Sequence, residues 1–373
     1  DDGLSDGDEI NLHLTQPNQP DTDGDGFNDG DEISQGTNPL DANDYPNNNL
    51  PPDPARVAPP LELSIATTMD RAAAFLYSGA NPIQTGVTVE IFDPVRTAVL
   101  RGQVRGRDGT PLSGVTVTIQ DHPEFGQTLS RADGWFDLVV NGGGSLVLNY
   151  ARDGLLPVQR RVNTPWQDYV NVEDVVMIPL DNQITPIDLS TPAMQVAQGS
   201  EVTDTDGTRR ATILFPQGTT ATLIMPNGTT QPLTSLNVRA TEYTVGDTGP
   251  QAMPALLPPA SGYTYAVELS ADEAIAIGAR EVRFNQPLPV YVDNFLNFPV
   301  GMAVPAGYYD RQTGQWIASD NGRVIQILDT SSGLASLDID GDTIADEITA
   351  LEALGITADE QAQLATLYPP GQS

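Results

Sequence analysis

The chain has 373 residues, no Cys, and 17 basic residues (all Arg, no Lys) against 50 acids, for a net charge of −33. So much negative charge argues against a nucleic-acid partner and for bound cations. Without disulfides, a chain of this length must be held by apolar cores and metal, in about two or three domains. No run of 18 apolar residues occurs and no signal peptide is visible, so no membrane span is expected in this segment. The acids are unevenly placed. Residues 1–54 hold 14 acids and residues 336–373 hold 8, with no Arg in either stretch.

Residues 1–54 read as a calcium-repeat segment. Asp21-Thr-Asp-Gly-Asp-Gly-Phe-Asn-Asp-Gly-Asp-Glu32 fits a twelve-position calcium loop. Asp21, Asp23 and Asp25 take positions 1, 3 and 5. Phe27 offers a carbonyl at 7, Asp29 sits at 9, and Glu32 is the bidentate ligand at 12. Ca²⁺ is a hard cation that takes about six to eight oxygens, and this spacing wraps them around one point. Asp2-Gly-Leu-Ser-Asp-Gly-Asp-Glu9 matches the second half of another such loop, with Asp2, Asp6 and Glu9 as ligands. The chain opens inside that motif, so a longer polypeptide is expected upstream. Glu9 and Glu32 lie 23 residues apart, which sets the repeat. The competing reading is a solvated acidic linker without metal.

Residues 55–98 read as a linker and lead-in. Met69–Tyr77 is expected to be a short helix, and Val87-Thr-Val-Glu-Ile-Phe92 alternates like a strand. Residues 99–182 read as a β-sandwich. Val115, Val117 and Ile119 alternate with Thr, Asp108-Gly109 and Asp133-Gly134 are turns, and Asn141-Gly142 turns again into Leu146, Leu148 and Tyr150. Residues 183–335 predict a second, larger sandwich or barrel. Its strands are placed at 211–215, 221–225, 263–269, 282–284, 290–292, 301–304 and 324–328. Tyr263, Tyr265, Val267 and Leu269 are set on one face of the third of these. Residues 336–373 hold a second calcium loop and helices. Asp338, Asp340, Asp342 and Asp346 take positions 1, 3, 5 and 9, with the Ile344 carbonyl at 7. Position 12 is Thr349, so Glu347 or water must complete the shell, which weakens affinity. A metal here would lock Leu337 and Ile344 against the second sandwich. Thr357-Ala-Asp-Glu360 is a capping box for the last helix. The fold class is therefore mainly β: a calcium-repeat segment, two β-sandwich-type domains and a short C-terminal helical segment.

Several phrases carry resemblances. Residues 1–54 resemble the bacterial thrombospondin type 3 repeat, which implies an acidic array folded around calcium. Gly102-Gln-Val, Asp108-Gly-Thr-Pro-Leu-Ser-Gly-Val115 and Arg131-Ala-Asp-Gly-Trp-Phe136 resemble the carboxypeptidase regulatory-like domain, a transthyretin-related accessory module without catalysis. Phe75-Leu-Tyr-Ser-Gly-Ala-Asn-Pro-Ile-Gln-Thr-Gly86, Tyr308-Tyr-Asp-Arg-Gln-Thr-Gly-Gln-Trp316 and Ala365-Thr-Leu-Tyr-Pro-Pro-Gly371 look like the region before the YD repeats of Rhs/teneurin-like proteins. In that family a transthyretin-related module and a plug lead into a hollow β-shell that can enclose a toxin. This chain contains neither YD repeats nor a toxin, so cargo and cleavage chemistry carry over to no residue here.

Catalytic constellations are not legible. His13 and His122 lack partners at zinc spacing, and Asn141-Gly-Gly-Gly-Ser145 has no Lys to complete a phosphate loop. Arg160-Arg161 and Arg209-Arg210 read as partners for surface carboxylates. Trp135, Trp166 and Trp316 fit core or turn packing better than a sugar platform. The expectation is a non-enzymatic, calcium-stabilised stalk and plug region of a large secreted or surface-exposed bacterial protein. Its partners are the remainder of its own chain and other surface proteins. The rival readings are an adhesive surface fibre, or an accessory region of a secreted hydrolase.

Overall fold

The structure, a computed structural model, describes all residues except 1, 24–27, 36, 42–49, 61–63, 65, 80–81 and 259–260. Strand outweighs helix, 33% to 16%, and no barrel forms among the described residues, so the chain is mainly β with β-sandwich-type sheets and short C-terminal helices. It divides into two compact units: Asp1–Ile178 with Pro254–Leu256, and Pro179–Met253 with Leu257–Ser373.

The first unit is built from β1 (Gln84–Thr85), β2 (Thr97–Arg105), β3 (Thr116–Ile119), β4 (Gln127–Leu129), β5 (Trp135–Asn141), β6 (Gly144–Ala151), β7 (Val158–Thr164), β8 (Tyr169–Asn171) and β9 (Val175–Val176). One sheet runs β1-β4-β3-β6-β7. The other runs β5-β2-β8, with β9 also on β2. Alternation in β3 buries Val117 and Ile119 and leaves the Thr residues half-exposed. Val99, Leu100, Phe136, Leu138, Leu148 and Tyr150 are fully buried in one core. The Asn141-Gly142 turn does not make a hairpin, because β5 and β6 lie in different sheets. Gly142 N–H donates to the Arg96 carbonyl and Gly143 N–H to the Thr164 carbonyl, so other strands hold the crossing.

The lead-in packs on this sandwich. A helix at Met69–Ala73 and a 3₁₀ turn at Ala74–Leu76 bury Ala73 and Leu76 in its core. Residues 87–92 are not a strand. They form a 3₁₀ turn, Val89–Ile91, closed by Ile91 N–H on the Thr88 carbonyl. Phe92 explains the difference, because it turns inward between Tyr77 and Phe125 instead of alternating outward. Gln84 acts as a piece of strand. Its side chain donates to the Val139 carbonyl at 2.9 Å and accepts from Val139 N–H at 2.7 Å, which caps backbone groups of β5.

The second unit holds three antiparallel sheets of three strands. Ser235–Glu242 lies between Thr185–Asp188 and Val267–Ala271. Ala211–Phe215 lies between Gln195–Gln198 and Val290–Val292. Ala221–Ile224 lies between Thr230–Leu233 and Glu281–Phe284. The strand expected from Tyr263 begins only at Val267. Tyr265 instead packs edge-on against Phe295, at 6.4 Å between ring centroids, and Leu269 is exposed rather than sharing a buried face. A separate core gathers Ile327, Leu337, Ile339, Leu351, Leu364 and Tyr368 under the C-terminal helices Ile348–Ala353 and Ala358–Leu367. The capping box of Thr357 and Glu360 forms as its sequence requires. Tyr291 also donates its hydroxyl to Glu360, and Tyr368 donates to Thr212 at 2.9 Å.

Candidate calcium sites

The N-terminal acids converge across the two repeats rather than within one loop. Ser5 caps a single helical turn, Asp6–Asp8, that leads into a wider turn, Glu9–His13. The next repeat starts a helix at Asp29–Gln35. Gly30 lets that helix start lie against the first repeat, since a Cβ there would be 2.1 Å from the Asp2 carbonyl oxygen. Carboxylate oxygens of Asp2, Glu9 and Asp29 consequently lie within 4.8 Å of one another. Asp29 is oriented by Thr22, which donates its N–H at 2.7 Å and its hydroxyl at 2.5 Å. Glu9 is 3% exposed. Burial, and then the charges of Asp2, Asp6 and Asp29, push its carboxyl above the usual range. Asp2 Oδ2 is buried with no hydrogen-bond partner among the described residues.

These features fit a hard cation. Three convergent carboxylates, two of them (Glu9 and Asp29) buried, need positive charge, and none of the three ion-pairs with Arg among the described residues. Among the described residues, Asp21, Asp23 and Glu32 are not grouped with Asp29, although Glu32 is buried. Asp25 and Phe27 lie outside the described residues. Asp6 is exposed and outside the group of three.

At the other end, Asp338, Asp340 and Asp346 bring oxygens within 4.8 Å of one another. Asp338 is fully buried at the end of the strand Ser336–Asp338. Burial opposes its ionisation. Backbone N–H groups of Gly341, Thr343, Asp340 and Asp342 outweigh that and hold its carboxyl below the usual range. Asp346 Oδ2 accepts Ile339 N–H at 2.8 Å, which closes the loop on itself. Gly341 is required at φ +88°, where a Cβ would lie 2.7 Å from the Val300 carbonyl. This donor set also suits Ca²⁺, with carbonyls and water completing the shell. Asp342 is exposed and accepts Ile344 N–H. Glu347 is the exposed N-cap residue of the following helix and is not gathered with the three. Leu337 is buried as expected, but Ile344 is 67% exposed and locks nothing. The reason is geometric: Thr343 adopts φ +67° and the chain turns outward before Ile344.

Elsewhere Arg neutralises buried acids. Arg209 is 1% exposed, not a surface cation, and bridges both oxygens of Asp204 and Oε1 of Glu242. Its guanidinium also lies 4.6 Å from the Phe295 ring centroid. In the first unit, buried Asp137 accepts from Arg101 at 2.7 Å and from Arg131 at 2.6 Å. Each network has one long-range member that no local pattern encodes, Glu242 on Arg209 and Arg101 on Asp137. His122 sits in its loop with Nδ1 2.8 Å from Glu124 Oε1. Trp166 is mostly exposed but lies against the turn at Gly143, where a Cβ would be 2.0 Å from its Nε1, so it packs on a turn and not in a core.

Comparison with known proteins adds two segmental likenesses. Residues 92–177 match the teneurin TTR-like domain, and residues 2–19 and 21–42 match the bacterial TSP3 repeat. Human teneurin-4 is 38% identical over 120 residues, covering 32% of this chain and 4% of that protein. Drosophila melanogaster teneurin-m is 43% identical over 95 residues, covering 26% of this chain and 3% of that protein. The chain therefore spans only a few per cent of the length of these relatives. Among solved structures, a streptococcal ancillary pilin aligns at a TM-score of 0.20 with 11% identity, over 37% of this chain and 59% of that one. That score is too low to carry an argument. The first sandwich is teneurin-like, and the acidic segment before it is TSP3-like.

Proposed function

We propose that this chain is a non-enzymatic, calcium-stabilised stalk and plug region of a large secreted or surface-exposed Rhs/teneurin-like protein. The observation that carries the reading is the run of TSP3-like acids, converging at Asp2, Glu9 and Asp29, N-terminal to a teneurin-like sandwich. In this reading Asp2, Glu9 and Asp29 hold one Ca²⁺, and Asp338, Asp340 and Asp346 hold another. Asp21, Asp23, Asp25, Glu32 and the Phe27 carbonyl serve the remaining loop. Calcium joins carboxylates that would otherwise repel and fixes one repeat on the next. The sandwiches are spacers held by their own cores. No nucleophile with a recognisable base and orienting group supports a catalytic role.

Isothermal titration with Ca²⁺, repeated on Glu9→Gln, tests the reading. The parent should take up calcium with ordering of residues 2–42 seen by hydrogen exchange, and the variant should lose a binding event. Identical exchange in chelator and in saturating calcium would sink it. Hydrolase or transferase turnover by the purified chain would refute the non-enzymatic part.

A further inference from the structure

The sequence contains three Asn-Gly steps, at 141–142, 227–228 and 321–322. At such a step the glycine nitrogen can attack the preceding side-chain carbonyl carbon, because a residue without Cβ leaves the approach open. The fold treats the three differently. Asn141 accepts Asp93 N–H at 2.9 Å and donates to the Ile91 carbonyl at 2.9 Å, while Gly142 N–H is held by the Arg96 carbonyl at 2.7 Å. Asn227 accepts the N–H of Thr229 at 3.0 Å and its hydroxyl at 2.7 Å, and Gly228 N–H donates to Met225 at 2.9 Å. Ring closure at either site must first break these bonds. Asn321 is exposed between exposed Asp320 and Gly322, and nothing among the described residues hydrogen-bonds its side chain. A Cβ on Gly322 would meet nothing nearer than the Val304 carbonyl oxygen, at 3.7 Å.

We infer that Asn321-Gly322 is a self-modification site, at which Asn321 becomes aspartate and isoaspartate within the folded protein. The Gly322 nitrogen loses its proton to solvent base and attacks Asn321 Cγ. A new C–N bond closes a five-membered succinimide. The Cγ–Nδ2 bond breaks, and the amide nitrogen leaves as ammonia after taking a proton from water. A water molecule then opens the ring at either carbonyl, giving aspartate or isoaspartate. No oxidant or reductant is involved. The product adds one negative charge, and isoaspartate adds one backbone carbon. Gly322 is the first residue of the strand Gly322–Arg323, in register with Val304, so closure there must release one strand-end pairing but no side-chain hydrogen bond, and both changes fall at that strand's start. Arg323 Nη1 in turn donates to the Ile339 carbonyl at 3.2 Å, inside the C-terminal acidic loop. The modification therefore sits next to a strand that braces that loop.

Incubation of the full chain at mildly alkaline pH, followed by peptide mapping and isoaspartate detection, tests this. Asn321 should convert about tenfold faster than Asn141 or Asn227, whose two side-chain hydrogen bonds hold down the reactive population. In denaturant the three rates should converge. Gly322→Ala should slow conversion at 321, and Asn321→Gln should remove it there. Equal rates at Asn321 and Asn227 in the folded chain would overturn the inference. So would a preference for Asn321 that persists unchanged in denaturant.

Discussion

Two loops of the second unit begin alike and end differently. Asp204-Thr-Asp-Gly207 and Asp338-Ile-Asp-Gly341 share the opening of a calcium loop. In the first, Arg209 follows within five residues, and its guanidinium takes both oxygens of Asp204 and one of Glu242. In the second no Arg follows, Asp346 does, and three carboxylates face one another with backbone N–H groups around Asp338. Acidic spacing alone therefore does not specify a metal. The distinction is whether the chain supplies its own cation within reach. Charge-assisted bonds to Arg209 hold the Asp204 carboxyl far below its usual range, and no calcium need be invoked there.

Removing that internal cation should have the largest effect. Arg209→Ala takes the cation from buried Glu242 and partly buried Asp204, and breaking the buried Arg209–Glu242 pair in this way costs about 3–5 kcal/mol. Urea unfolding of the second unit should show the loss with and without calcium. A loss restored by calcium would mean that Asp204 and Asp206 form a latent metal loop after all, and the contrast would fail.

The first sandwich gives the core-driven counterpart. Leu138 is fully buried at the centre of its core, and Leu138→Ala should cost about 2–5 kcal/mol through lost burial and an unfilled cavity. The loss should be the same in chelator and in calcium. Metal-dependent destabilisation would show that the TSP3-like segment and the sandwich fold as one cooperative piece.

What the sequence revealed follows from the range of the interactions. Period-two alternation at Val115–Ile119, the Thr357–Glu360 capping box and the acidic spacing at 338–346 are local patterns, and each has its structural counterpart. The Arg209–Glu242 pair spans 33 residues and Gln84–Val139 spans 55, and no local pattern encodes either. The cluster of Asp2, Glu9 and Asp29 escaped for a related reason. The loop template groups ligands within one repeat, while docking of Gly30 on Asp2 groups them between repeats. Phe92 and Tyr265 misled the strand assignment because an aromatic that plugs a core overrides alternation.

The C-terminal loop should respond locally. Asp340→Ala removes one of the three gathered carboxylates, so calcium should no longer protect residues 338–347 from hydrogen exchange. The last helix should stay protected, because Leu351, Leu364 and Tyr368 are buried in their own core and Tyr291 and Thr212 bond to it. Exposed Ile344 gives the loop no lever on that helix. If the variant frees the whole stretch 346–373, the metal braces the helix and the core does not.

The smallest effect concerns pH and separates the helix from the loop it follows. Glu360 is buried, and burial pushes its carboxyl above the usual range, although hydrogen bonds from Tyr291 and Thr357 N–H pull the other way. A carboxyl raised in the folded state binds its proton more tightly there than in the unfolded chain. Its contribution to stability is therefore complete below the unfolded value near 4.5 and fades as pH rises through the higher folded value. Asp338 behaves in the opposite sense. Its folded value is depressed, so its contribution is present above the unfolded value near 3.8 and is lost as pH falls through the depressed one. Glu360→Gln keeps a hydrogen-bonding side chain but cannot titrate. The difference in unfolding free energy between parent and variant should favour the parent increasingly as pH falls from neutrality toward the unfolded Glu value, then level off. A difference that is flat with pH would show that Glu360 titrates normally and that its burial under Tyr291 does not perturb it.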